Sequence, residues 1–260
     1  MPTTRSQTLL SRVEDAGLNA SAPPQQRWLD GWLVRFCPGK ARRARCVNAV
    51  AQGRLSLPQK LALCQQVFEE AQLPLIFRIT PMALPPNLDA WLDASGMRRS
   101  ADACVMVNDD LKALAAEPLP PGASLQRVGH AAFAQIVGQL RGSPLAQQQA
   151  HAQRLELSPV PFEGWVLRRS GGSAVLACGQ IASEADMVGL YDVFTASEAR
   201  NNGWARKLCG QLLERARQHG ARIGYLQVDA DNAPARSVYR RLGFGDAYTY
   251  HYRAFAEQEG

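Results

Sequence analysis

Arg200, Gly203 and Ala205 form an Arg-x-x-Gly-x-Ala pattern at the head of a run in which Ala205, Leu208, Cys209, Leu212, Leu213 and Ala216 recur at spacings of three and four. That period gathers the apolar residues on one face of a helix and leaves Arg206, Lys207, Gln211, Glu214 and Arg215 largely outside. The first turn of such a helix carries backbone N–H groups with no partner inside the helix, and the positive end of its dipole. The bare Cα of Gly203 and the small Ala205 let a phosphate-type anion approach those amides, and Arg200 adds a formal positive charge. The same residues also suit a loop that only caps a surface helix.

A second group lies in Leu226-Gln-Val-Asp-Ala-Asp-Asn-Ala-Pro-Ala-Arg-Ser-Val-Tyr-Arg-Arg-Leu-Gly-Phe244. Asn232 suits the start of a helix, as N-cap or as a hydrogen-bonding group beside it. Tyr239 follows seven residues later, two helical turns on, so both can face one groove. Gly243 is placed to end that helix.

Together the two stretches resemble the acetyl-CoA-binding core of the GNAT superfamily. There an R/Q-x-x-G-x-G/A loop after the fourth strand holds the pyrophosphate, and an N-x-x-A-x-x-x-Y-x-x-x-G-F segment after the fifth completes the cleft. The second pattern is met by Asn232, Ala235, Tyr239, Gly243 and Phe244. The resemblance implies that the backbone of Val193, Phe194 and Thr195 pairs with the pantetheine amides. It implies that Arg200, Asn201, Asn202, Gly203, Trp204, Ala205 and Arg206 cradle the pyrophosphate and that Asn232 contacts the pantetheine arm. Tyr239 would stand beside the thioester sulfur as general acid, a reasonable task for a phenol with a pKa of about 10.

The base departs from that pattern. Related enzymes often carry a glutamate on the fourth or fifth strand, whereas the fifth-strand position here is Gln227, whose amide cannot take a proton from an ammonium group. Asp192, just ahead of Val193, is the best remaining carboxylate and is expected to project toward the cleft floor. Asp229 is the reserve, and a water chain is equally admissible. His251 alternates with Tyr248, Tyr250 and Tyr252 and reads as structural or as part of a substrate wall. Trp204 reads as a packing or adenine-side residue.

These residues need elements to hold them. Met187–Thr195 reads as a strand, followed by a loop, a helix over 203–219, a strand over 223–228, a helix over 233–242 and a strand over 248–255. Ahead of them, Leu125–Val128 opens a unit that includes a helix over 131–140 and a hairpin of 164–168 with 174–178 around Ser170-Gly171-Gly172-Ser173. The stretch 140–163 reads as loop-bearing and is a place for acceptor specificity.

Glu117-Pro-Leu-Pro-Pro-Gly122 is a linker, since its prolines forbid helix and supply no strand donors. The expected fold class is α+β: two GNAT-like domains, each a mixed, mostly antiparallel sheet flanked by helices. A degenerate domain would occupy 1–117, the linker 118–122 and the catalytic domain 123–260. In the first half, a helix over 5–16 closes at Gly17. Strands over 31–36 and 45–50 flank a Pro38-Gly39 turn, Pro58 opens a helix, and 75–80, 88–94 and 103–107 read as strand, helix and strand. With Gly31-Trp-Leu-Val-Arg35, Asn48 and Phe77-Arg-Ile-Thr-Pro81, that half resembles bacterial tandem proteins in which a GNAT-like domain precedes the catalytic one. It lacks an Arg-x-x-Gly-x-Gly loop, so it is not expected to hold the cofactor in the same way.

The chain of 260 residues carries a net charge of +6, divided evenly as +3 up to residue 120 and +3 beyond. An even spread argues against a dedicated nucleic-acid surface, and the cluster Lys40, Arg42, Arg43 and Arg45 reads as a solvated hairpin rim. The six cysteines are scattered singly, so neither metal nor disulfide is expected. No apolar signal core or 18-residue apolar run occurs, so a cytoplasmic protein without membrane partners is expected. The activity implied is acetyl-CoA-dependent N-acetylation of a primary amine, on a small molecule or a peptide N-terminus. The rival reading is a catalytically silent acyl-CoA sensor. Oligomeric state is not fixed by these residues.

Overall fold

A computed structural model describes residues 5–38, 41–169, 171 and 174–256. Gly39 of the first expected turn, Lys40 of the basic cluster, and Ser170, Gly172 and Ser173 of the hairpin tip lie outside the described residues. The elements are α1 (Gln7–Ala20), β1 (Gln26–Leu29), β2 (Trp32–Arg35), β3 (Val47–Asn48), α2 (Leu57–Glu70), β4 (Ile76–Ile79), α3 (Leu88–Ala94) and β5 (Arg98–Asn108). They continue with β6 (Ala123–Val128), α4 (His130–Leu140), α5 (Leu145–Glu156), β7 (Phe162–Arg169), β8 (Val175–Glu184), β9 (Met187–Thr195), α6 (Trp204–Gln218), β10 (Ile223–Asp229), α7 (Ala233–Arg240) and β11 (Gly245–Ala254). No helix among the described residues is long and apolar enough to cross a membrane.

The chain forms two compact units that interleave along the sequence. One comprises residues 1–20, 105–228 and 232–247; the other comprises 21–104, 229–231 and 248–260. The division expected at 118–122 therefore does not separate them. α1 belongs with the later strands: Arg12 pairs with Asp186, and Asn19 Nδ2 donates to Glu184 at 2.8 Å. Gly17 does not close α1 as expected but sits buried inside it, where a Cβ would come 2.8 Å from Gln227 Nε2. At the other terminus, residues 251–254 of β11 pair antiparallel with β4.

In the first unit the strand order is β10, β9, β8, β7, β6. β6 to β9 are antiparallel neighbours, and β9 and β10 run parallel with α6 as the crossover. The core joins Phe133, Val137, Phe162, Val166 and Cys178 beneath α4, while α6 buries Leu208, Cys209, Leu212, Leu213 and Ala216. In the second unit β2 is antiparallel to β3, and β3 is parallel to β4 with α2 as the crossover. The two units thus repeat one pattern: an antiparallel pair, then a parallel pair bridged by a helix. The core of the second unit gathers Trp32, Val34, Phe68, Phe77, Leu92 and Met97, with Trp32 and Phe77 edge-to-face at 5.7 Å.

Candidate active site

β9 and β10 stay in parallel register from Met187↔Ile223 to Leu190↔Leu226, where the pairing ends. β9 changes course at the same point. Against β8, Gln180 faces Tyr191 but Cys178 faces Phe194, so β9 carries one extra residue. Asp192 lies in this bulge with φ +49°, in the left-handed region that carboxylate and carboxamide side chains tolerate. The pairing of Ala177 and Cys178 with Thr195 and Phe194 continues on the β8 side. Val193, Phe194 and Thr195 line a cavity of about 750 Å³.

The loop between β9 and α6 forms the next wall. Asn201 has φ +63° and Gly203, the residue that starts α6, has φ +73°. Asn202 Nδ2 donates to the Arg200 carbonyl at 2.9 Å, tying the loop to itself. Helical bonding begins with Lys207 N donating to Gly203 O at 3.1 Å, so the first-turn amides of Trp204, Ala205 and Arg206 precede any intrahelical acceptor. A Cβ built at Gly203 meets nothing within 4 Å. Arg200 lies 5.8 Å from the Phe194 ring centroid. Glu117, in the expected linker, accepts from Arg206 and from Lys207, each at 2.8 Å, and offsets part of their charge.

α7 closes the cavity from the other side. Asn232 Oδ1 accepts from Ala235 N at 3.1 Å, the N-cap bond expected of it. Tyr239 is nine-tenths buried and lines the cavity beside its neighbour Val238. Burial pushes its phenol well above the ordinary tyrosine range, with the nearby Cys209 adding to the shift. Among the described residues its hydroxyl makes no hydrogen bond.

Of the residues singled out in the sequence, Val193, Phe194, Thr195, Arg200, Asn201, Gly203, Trp204, Ala205, Arg206, Asn232 and Tyr239 line this one cavity. Asn202 and Asp192 do not. Pro234, Ser237, Val238 and Arg241 line it as well and were not anticipated. Their spacing along α7 is that of one helical face, which the motif residues alone do not reveal.

Asp192, the expected base, is held by its neighbours outside the cavity lining. Its Oδ1 accepts from Arg141 at 2.9 Å, its Oδ2 accepts from Gln180 Nε2 at 2.8 Å, and His151 Nε2 lies 3.2 Å from Oδ2. Burial alone would raise its pKa, but the His151 contact and the charges of His151, Arg141 and Arg154 outweigh burial and hold it well below the carboxylate range. A carboxylate so held has little affinity for a proton. Asp229, the reserve, lies in the second unit, in a concavity shared with Arg99, Asp102 and Asp231. His251 has a structural place, its Nε2 2.8 Å from Asp89 Oδ1.

Residues 10–253 match the family described as "Probable histone acetyltransferase Rv0428c C-terminal". The chain belongs to the GNAT family of N-acetyltransferases. A solved GCN5-related N-acetyltransferase from Kribbella flavida shares the fold, with a TM-score of 0.71 at 15% identity, covering 96% of this chain and 97% of that one. The uncharacterized N-acetyltransferase YobR of Bacillus subtilis is 31% identical over 80 residues, 31% of this chain and 32% of its own length. An aminoglycoside N(6')-acetyltransferase type 1 of Serratia marcescens is 27% identical over 114 residues, 40% of this chain and 76% of its own length. The chain thus spans about a third of the length of the first of these curated relatives.

Proposed function

We propose that this acetyltransferase moves the acetyl group of acetyl-CoA to a primary amine by direct attack in a ternary complex, within the cavity between β9, the 200–206 loop and α7. The observation that carries this reading is that β9 and β10 stop pairing after Leu190 and Leu226, and that the β9 residues beyond, Val193–Thr195, line one cavity with Gly203 and Tyr239. The residues lining the cavity suit a ligand with an amide-bearing arm and a phosphate group. The β10-side edge of Val193–Thr195 pairs with amides as an added strand would. The open space over Gly203 admits a pyrophosphate to the first-turn amides of α6.

Acetyl-CoA supplies a thioester that is already activated, so the protein's part is alignment and proton handling. Tyr239, kept protonated by its burial, donates to the departing thiolate. Backbone N–H groups of the β9 edge stabilise the oxyanion. Proton removal from the amine falls to water rather than to Asp192, whose two oxygens are already bonded. The test is thiol release from acetyl-CoA with a panel of amines: aminoglycosides, simple amines, amino acids and peptides with free N-termini. One class should stand out by at least tenfold in kcat/KM, and no release with any amine would defeat the reading. The name of the Serratia relative favours the small-molecule arm, and that of the matched family a protein amine.

The second unit repeats the crossover pattern but fills the corresponding space with its own carboxylate. In the loop leading into α2, Arg54 N and Leu55 N donate to Asp30 at 2.9 and 2.8 Å, and Lys60 Nζ lies 3.2 Å from Asp30 Oδ2. Gly53 has φ +71°, close to the +73° of Gly203, but a Cβ there would collide with the Asp30 backbone oxygen. The backbone hydrogen bonds from Arg54 and Leu55 hold the Asp30 carboxyl below its usual range, so it stays an anion at neutral pH. One cofactor per chain is therefore expected. Native mass spectrometry at saturating CoA should show a single adduct, and two tight adducts would contradict the assignment.

A further inference from the structure

The cluster around Asp192 stands where β9 acquires its extra residue and where β10 leaves it. We propose that Asp192 is a positioning residue: its carboxylate ties the β9 bulge to Gln180 on β8 and, through Arg141 at the C-terminal end of α4, to the Phe194 ring, and so fixes the strand edge that receives the cofactor. This inference rests on the assignment of acetyl-CoA to the cavity.

Three contacts support it. The Gln180 bond, 2.8 Å, crosses the ladder at the last residue before the register shift. Gln180 is fully buried, so its amide cannot turn away to solvent, and replacing the acceptor leaves a buried donor unsatisfied. The Arg141 bond, 2.9 Å, orients a guanidinium whose centre lies 5.6 Å from the Phe194 ring centroid, while Arg200 stands 5.8 Å from that same ring. Phe194 lines the cavity. The carboxylate thus reaches the cavity wall through Arg141 and the bulge through Gln180. The titratable His151 and the charged Arg154, both on α5, also face it. The cations Arg141 and Arg154 favour its ionised form, so the tie persists across the pH range in which an amine is nucleophilic.

The experiment compares wild type, Asp192→Asn, Arg141→Gln and the double variant. Asparagine tolerates the left-handed backbone at 192, so this change removes charge without adding strain. Arg141 is partly exposed, its side chain at 36%, and its replacement keeps the fold. Calorimetry with acetyl-CoA should show an affinity about tenfold weaker in each single variant and no further loss in the double, the sign of two residues acting as one unit. Saturating kcat should stay within about threefold, and the acidic limb of its pH profile should not move, because no proton is passed through Asp192. Amide exchange of Val193–Thr195 should speed up while that of α6 does not.

Unchanged affinity in both single variants, or strictly additive losses, would overturn the proposal. So would a hundredfold fall in kcat with loss of the acidic limb, which would make Asp192 the base after all. If wild type itself fails to bind acetyl-CoA, the fault lies with the assignment of the cavity.

Discussion

Gly203→Val should abolish tight binding of acetyl-CoA while leaving the protein folded. Gly203 starts α6 with φ +73°, and the direction in which its Cβ would point is open for 4 Å. The substitution meets no protein atom there and acts on whatever fills that space. If a pyrophosphate does, two charge-assisted hydrogen bonds to first-turn amides are lost at about 1.5 kcal/mol each, roughly a 10²-fold loss of affinity. The left-handed φ also costs a β-branched residue about 1–3 kcal/mol of stability, so a thermal melt must accompany the titration. Gly203→Ala carries less of both burdens and should fall between. Calorimetry showing wild-type affinity in a folded Gly203→Val protein would end the assignment of this loop to the phosphate.

The contrast with Gly53 shows why the two halves of the chain read so differently. Both glycines have left-handed φ in a loop that enters a crossover helix. One opens onto a cavity; the other abuts Asp30. The sequence reveals neither fact, because Asp30 and Gly53 are joined only by folding. What it does reveal is the missing arginine motif, and the structure supplies the physical counterpart of that absence.

Local signals made the elements of the first unit legible. The sequence predicts β9 at its full extent, Met187–Thr195, and α6 within a residue at each end, because strong periodicity leaves little choice of face. Helix α5 is not legible in the sequence. Only Leu155 of Leu145–Glu156 is buried, so its glutamine-rich sequence carries almost no stripe. The partition into units was not legible. α1 and β11 find partners far away in the chain, and nothing local to either names them. The placement of Asp192 is illegible for a subtler reason: strand alternation assigns faces only while the ladder is regular. The extra residue at the bulge turns the next side chains over, and with them the face on which Asp192 lies.

Tyr239→Phe should lower the turnover number by about 10²-fold or more, the usual scale for a lost proton donor, with little change in cofactor affinity. Phenylalanine preserves the ring, which lies edge-on to Phe244 at 6.2 Å. The hydroxyl removed has no hydrogen-bond partner among the described residues, so folding should be spared. The pH dependence gives an independent sign. A phenol with an ordinary pKa of about 10 would lose its proton, and its use as an acid, as pH approaches that value. Burial disfavours the phenolate and raises the pKa of Tyr239, so the useful protonated form persists to higher pH. Wild-type kcat should therefore rise as the amine deprotonates and then hold level through about pH 10 rather than fall. In Tyr239→Phe the same profile should be displaced downward without changing shape, since water then protonates the thiolate at every pH. Stopped-flow measurement of thiol release under single-turnover conditions isolates this step from product release. Wild-type rates for Tyr239→Phe in that measurement, on an acceptor that the intact enzyme acetylates, would remove Tyr239 from the chemistry and leave it as a wall of the cavity.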